Sequence, residues 1–145
     1  MGEGRDIAAG PSERGKVKFP KAKAIDMIAE RIARMEGFYD PGDTPAKRNN
    51  NPGNLRMWGR NPMRGGFAVF PDVEAGWKAL RRQVELNIER DLTWYEFFEG
   101  KRHVYGGYAP RKDKNKPDVY AAFVAEPFGA DINERIQESI HEYSH

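Results

Sequence analysis

KAKAIDMIAERIARMEGFYD, residues 21–40, is the stretch on which the fold turns. Its apolar residues Ala24, Ile25, Ile28, Ala29, Ile32, Ala33 and Met35 recur at three- and four-residue spacing, the period that gathers side chains on one face of an α-helix. The spacing predicts a helix from Lys21 to Glu36, with Gly37 as its stop. A helix with one apolar face has to bury that face, so this segment should organise a core.

Downstream, from Phe38 to Pro71, the texture changes to Gly, Pro and Asn. The run Asn49-Asn50-Asn51-Pro52-Gly53 is turn chemistry. The short stretches Asn54–Trp58 and Gly66–Phe70, separated by GRNPMRG, read as a small hairpin or irregular β lobe. Asp72 is placed to cap a second long helix carrying Trp77, Leu80, Val84, Leu86 and Ile88. Thr93 and Glu96 have capping-box spacing, which starts a third helix that offers Trp94, Phe97 and Phe98 to the core and ends near Gly100. The polar segment KRHVYGGYAPRKDKNK then leads to Pro117, a first helical residue, and a fourth helix over Val119–Val124. Asp131 and Glu134 repeat the capping-box spacing and predict a fifth helix through Ile132, Ile136 and Ile140. The expected architecture is mainly α (α+β), with about five helices and a small β hairpin lobe inserted after the first long helix.

The chain has 145 residues, which fits one compact domain. Residues 1–19 hold only isolated apolar side chains and are expected to form a flexible arm, with residues 20–145 as the folded domain. Hydrophobic residues make up 39% and charged residues 32%, enough to bury a core under a strongly hydrated surface. A formal net charge of +2, from 24 basic and 22 acidic residues, is too mild to imply nucleic acid as a partner. The absence of cysteine excludes disulfides, a thiolate nucleophile and cysteine-based zinc sites. His103, His141 and His145 have no ligand spacing, so no metal and no cofactor are expected.

Glu36 is the expected catalytic residue. It closes an apolar helix, faces the carbonyl-rich helix end and is followed by Gly37-Phe38-Tyr39. A helix C-terminus and nearby aromatic rings both disfavour the charged carboxylate, as general-acid chemistry requires. Together, Glu36-Gly37-Phe38, the loop Arg48-Asn49-Asn50-Asn51-Pro52-Gly53-Asn54-Leu55-Arg56, Gly66-Phe67-Ala68-Val69-Phe70-Pro71, Glu74-Ala75-Gly76-Trp77 and Tyr108-Ala109-Pro110 resemble phage-type lytic transglycosylase-like proteins. The match runs from about Lys21 to Ala130. The resemblance implies a lysozyme-like fold, in which a glutamate at the end of the first long helix faces the β lobe across a sugar-binding cleft. It makes Glu36 the proton donor to the glycosidic oxygen. Asn51, Gly53, Asn54, Leu55, Arg56 and Phe70 become substrate-binding candidates, and Tyr108 resembles a tyrosine that positions the catalytic glutamate. This chain has Gly53-Asn54-Leu55-Arg56 where such enzymes usually show a Gly-Leu-Met-Gln-like sequence, so its hydrogen bonds to sugar must differ.

The implied substrate is the MurNAc-GlcNAc β-1,4 bond of peptidoglycan glycan strands, attacked by a monomer. No Asp or Glu occurs from Thr44 to Pro71, so the β lobe offers no second carboxylate. That favours a lytic transglycosylase, which needs one glutamate, over a retaining hydrolase. An inverting muramidase using Asp40 or Asp43 as base is the alternative, with Asp72 a poorer candidate because it caps a helix. Two further readings are a non-catalytic glycan-binding or virion structural protein of the same fold, and a nucleic-acid-binding module built on Lys47, Arg48, Arg56, Arg60 and Arg64. The chain shows no signal-peptide core and no apolar run of the roughly 20 residues that a membrane-spanning helix needs. Synthesis in the cytoplasm without membrane insertion is therefore expected, with a membrane-crossing partner or a phage particle delivering the protein to the wall.

Overall fold

A computed structural model describes residues 17–143. Among them are five α-helices and one two-stranded antiparallel sheet, so the protein is mainly helical with a small β element. They fall into two compact units: Ile25–Leu86, and the residues up to Ala24 together with those from Asn87 onward.

Helix α1, Lys21–Met35, buries Ala24, Ile28, Ala29, Ile32 and Ala33, the face that the sequence periodicity marks, while Met35 is exposed. Its end is a Schellman motif. The Phe38 N–H donates to the Ala33 carbonyl at 3.1 Å and the Gly37 N–H to that of Arg34 at 3.4 Å. Gly37 sits between them at φ 84°, which a side chain would strain. Glu36 is thus the last residue before the reversal.

A short helix α2, Pro45–Arg48, follows. The sequence reads as turn here and the helix is not expected; Thr44 is its N-cap, accepting the Lys47 N–H, and Pro45 occupies the first turn. The hairpin is smaller than expected, and its first strand lies within GRNPMRG, the segment that the sequence reads as the connecting turn. Strand β1 is Met63–Arg64 and β2 is Phe67–Ala68, paired Met63 with Ala68 and Arg64 with Phe67 around the two-residue turn Gly65-Gly66. Both glycines have positive φ, as a tight hairpin turn of this hand requires. Asn54–Trp58 is not a strand. Asn54 is left-handed at φ 50°, and the Leu55 N–H bonds a side chain, so the segment meets β2 through one ladder-like bond, Ala68 N–H to the Leu55 carbonyl at 2.9 Å.

Helix α3, Val73–Glu89, starts where Asp72 Oδ1 accepts the Ala75 N–H at 2.8 Å, and it buries Leu80, Val84 and Ile88. Helix α4, Trp94–Glu99, has both halves of the capping box between Thr93 and Glu96. Helix α5 is Pro117–Ala125, with Pro117 in its first turn. Around these two helices, Phe98 stacks on Tyr120 at 4.3 Å, Phe97 lies 5.9 Å from Tyr108, and Trp94 lies 4.9 Å from Phe128.

The expected fifth helix from Asp131 to Ile140 does not form; a 3-10 turn, Ile136–Ser139, takes its place. Half of the capping box is present, with the Asp131 N–H donating to Glu134 Oε1 at 2.8 Å. The carbonyls that a helix would use internally are taken by α4 instead. Glu134 O accepts the Trp94 N–H and Ile132 O accepts the Tyr95 N–H, while the segment's own Ile136 N–H donates to Leu92 O, just ahead of α4. The first-turn N–H groups of α4 have no partner inside their own helix, and satisfying them with this segment outweighs its helical spacing. Ile136 and Ile140 are buried all the same.

Of the expected arm 1–19, residues 1–16 lie outside the described residues. Its last three are held by the fold. The Val17 N–H donates to Phe128 O, the Phe19 N–H to Ser139 O and the His141 N–H to Phe19 O, while the Phe19 ring meets Phe128 edge-on at 5.4 Å. A half-buried aromatic side chain in such a contact should matter, so Phe19→Ala is expected to cost about 2 kcal/mol in urea unfolding, below the roughly 3–5 kcal/mol of a fully buried Phe. A loss within about 0.5 kcal/mol, typical of surface changes, would place Phe19 outside the core.

Candidate active site

The site is built in the Ile25–Leu86 unit around Glu36, which is half-buried. Asn54 holds this residue at two points. Its Nδ2 donates to the Glu36 carbonyl at 3.2 Å and to Glu36 Oε1 at 3.0 Å. A backbone carbonyl can only accept, so the Asn54 amide must turn its NH2 toward Glu36 and its oxygen away. Asn54 Oδ1 is buried and has no hydrogen-bond partner among the described residues. The amide is therefore a donor to the carboxyl group and restricts its rotation.

The turn after Glu36 is clasped from the other side. Thr44 Oγ1 donates to the Gly37 carbonyl at 2.9 Å while the same hydroxyl caps α2. Asp40 folds its carboxylate over Gly37, with Oδ2 3.3 Å from where a Cβ would stand. The Phe38 ring meets Trp77 edge-on at 5.5 Å. Tyr39 donates its hydroxyl to Glu30 Oε1 at 2.8 Å, and its phenol is pushed up to about 12 by burial and by that carboxylate.

Asn54 owes its position to Asn51. The Asn51 side chain is fully buried, with Nδ2 donating to Leu55 O at 2.9 Å and Ala68 O at 2.8 Å and Oδ1 accepting the Leu55 N–H at 2.9 Å. One amide thus closes the 51–55 turn and ties it to β2. The Asn54 N–H donates back to Asn51 O at 3.0 Å. The neighbouring asparagines work similarly: Asn49 Oδ1 accepts from Arg64 Nε at 2.7 Å, and Asn50 Nδ2 donates to Phe70 O at 3.1 Å. Gly76 on α3 completes the frame. A Cβ there would stand 2.0 Å from Asn50 O and 2.8 Å from Pro52 Cδ, so the loop backbone lies directly on the helix. Thr44, Gly76 and Arg64 escape a reading of residues one at a time, because their roles lie in contacts between distant segments.

Gly53 and Leu55 are buried in the turn beneath Asn54. Arg56 is exposed, with its guanidinium 5.8 Å from the centre of the Phe67 ring. Phe70 is buried; with Trp58, Pro71, Lys78 and Arg82 it lines a depression of about 340 Å³. Tyr108 belongs to the other unit, in the ring cluster with Phe97, Phe98 and Tyr120. Asn51 has every donor of its amide engaged, so it shapes the loop and offers no donor to a ligand.

Of the two acids that could serve as a base, Asp43 pairs with Arg48 at 3.1 Å, whereas Asp40 lies beside the Glu36-Gly37 turn. The basic loop is largely engaged internally. Lys47 Nζ bonds the carbonyls of Asp40 and Gly42, Arg48 pairs with Asp43, and Arg64 Nη2 donates to Arg48 O. Among the described residues no group of three His, Asp or Glu side chains stands close enough to hold a metal ion.

The two asparagines should separate in experiment. Asn51→Leu strands buried Leu55 and Ala68 backbone groups, each costing about 1–3 kcal/mol, so urea unfolding should show a loss of about 3 kcal/mol. Asn54→Gly keeps a left-handed backbone and removes an unsatisfied buried oxygen, so stability should change by less than about 1 kcal/mol. Equal losses in both variants would contradict the division between a frame residue and a site residue. Compared with known proteins, the chain matches no family model, and no curated protein or solved structure is significantly similar to it.

Proposed function

We propose that this chain is a lysozyme-like glycosidase that cleaves the MurNAc-GlcNAc β-1,4 bond of peptidoglycan by lytic transglycosylation, with Glu36 as acid and base. The observation that carries this reading is the Asn54–Glu36 contact: a half-buried carboxyl group at a helix end, oriented by an amide from a turn that is itself locked to the β element. General acid catalysis needs a carboxyl group held in one direction in a partly dehydrated place, and this arrangement supplies one. The surrounding segments are those on which the resemblance to phage-type lytic transglycosylase-like proteins rests.

In this mechanism Glu36 gives its proton to the glycosidic oxygen as the C1–O bond breaks. The resulting carboxylate takes the proton of the sugar's C6 hydroxyl, and O6 closes on C1 to give a 1,6-anhydro product. No water is consumed. Because the nucleophile belongs to the bound sugar, no second carboxylate is required, consistent with the lack of Asp or Glu from Thr44 to Pro71. A second reading, an inverting muramidase, is favoured by one observation, the Asp40 carboxylate beside Gly37. Such an enzyme needs a base about 6.5 to 9.5 Å from the acid to activate water. The pairing of Asp43 with Arg48 makes it the poorer choice of the two.

Glu36→Gln can still accept the Asn54 hydrogen bond but cannot deliver a proton, so cell-wall clearance should fall at least about a hundredfold with circular dichroism unchanged. A fully active variant would remove Glu36 from the mechanism. Mass spectrometry of wild-type digests should show 1,6-anhydromuropeptides, one water lighter than hydrolytic fragments. Reducing-end muropeptides alone, lost in Asp40→Asn, would make the protein an inverting muramidase. Binding of glycan strands without any cleavage would make it a non-catalytic glycan-binding protein.

A further inference from the structure

Positive charge gathers in two stretches: residues 44–71 carry five Lys or Arg and no acid, and residues 100–116 form the second. Residues 100–116 carry six Lys or Arg against a single Asp, a formal +5, in a chain whose total is +2; the remainder is therefore −3. These residues lie in the unit from Asn87 onward. There Lys101, Arg102, His103 and Lys112 line one open cavity of about 530 Å³ with Tyr105. Glu99, the only acid on its wall among the described residues, already accepts the Arg111 N–H at 2.9 Å.

Two features together mark these cations. Lys101, Arg102, Lys112, Lys114 and Lys116 are exposed and make no ion pair among the described residues, whereas Arg48, Arg82 and Arg135 are each paired with a carboxylate. The loop presenting them is also fixed. Lys101 O accepts the N–H groups of Val104 and Tyr105 at 2.9 Å, and the Lys101 N–H donates to Tyr105 O at 2.8 Å. Arg90 lies 4.9 Å over the Tyr105 ring. At Gly107 a Cβ would stand 2.5 Å from Glu99 O, so the return strand of the loop presses on the end of α4. A rigid loop of unpaired cations binds an anion without first having to order itself.

We propose that this cavity and the adjoining 111–116 segment form a binding site for a phosphodiester polyanion of the non-nucleic type, such as a poly(glycerol phosphate). One phosphate sits among Lys101, Arg102 and Lys112, and its neighbours run along Lys114 and Lys116. Several cations strung along the surface suit a repeating anion better than a single small one. Nucleic acid is the poorer fit, because single strands are held by exposed aromatic stacking platforms as well as by charge. Tyr105 is half-buried under Arg90 and Tyr108 is packed among rings, so the patch offers no such platform. The site is independent of Glu36.

Binding of fluorescent poly(glycerol phosphate) to the full chain tests this, with oligo(dT) and poly(glutamate) as competing probes. The expected result is saturable binding to poly(glycerol phosphate), tighter than to either other probe, weakening about tenfold or more between about 50 and 200 mM salt. The exposed substitutions Lys101→Ala, Arg102→Ala and Lys112→Ala together should weaken it about tenfold with circular dichroism unchanged, while Arg56→Ala with Arg60→Ala leaves it unaltered. Tighter binding to oligo(dT) overturns the proposal in favour of a nucleic-acid surface. Absent binding, or equal binding by the triple variant, overturns the site itself.

Discussion

One buried amide holds the candidate site together. Asn51 has no contact with water, yet its side chain bonds Leu55 twice and Ala68 once, so a turn without regular secondary structure is tied to the hairpin at fixed distances. Buried polar groups are costly unless satisfied, and a satisfied one specifies a single arrangement. Asn54 then has one place to go, and the Glu36 carbonyl dictates which end of its amide faces the carboxyl group. The precision of the site comes from this chain of hydrogen bonds; the two-residue strands are too short to supply it.

The same logic explains what the sequence revealed. Helices α1, α3, α4 and α5 were legible because their signals are local: a 3.6-residue apolar period, Asp72 and Thr93 as caps, and Gly37 as a stop. The prominence of Glu36 was legible for the same reason, since an acid next to a terminating glycine is visible in the chain. The Asn run was recognised as a turn, but its three side chains bond groups as far off as Arg64, Ala68 and Phe70, and no local pattern encodes such partners. The sequence accordingly offers Asn51 as a sugar contact, whereas its amide is engaged in the frame.

Two misreadings have definite physical causes. The segment from Asp131 onward has helical spacing and half of a capping box, but its carbonyls complete the first turn of α4. Phe19 looked like the end of an arm because its partners, Phe128 and Ser139, lie more than a hundred residues away in sequence. In both cases a tertiary hydrogen bond or ring contact outweighed a local preference, the usual limit of propensity arguments.

If Glu36 is the acid, then as oriented by Asn54 it must meet the scissile bond. A crystal structure of Glu36→Gln soaked with a GlcNAc-MurNAc tetrasaccharide addresses it directly. A glycosidic oxygen should lie within about 2.6–3.2 Å of the residue 36 side chain, the reach of a proton transfer, with Asn54 still bonded to that side chain. Sugar lodged away from residue 36, or a saturated crystal with no sugar bound, would contradict it.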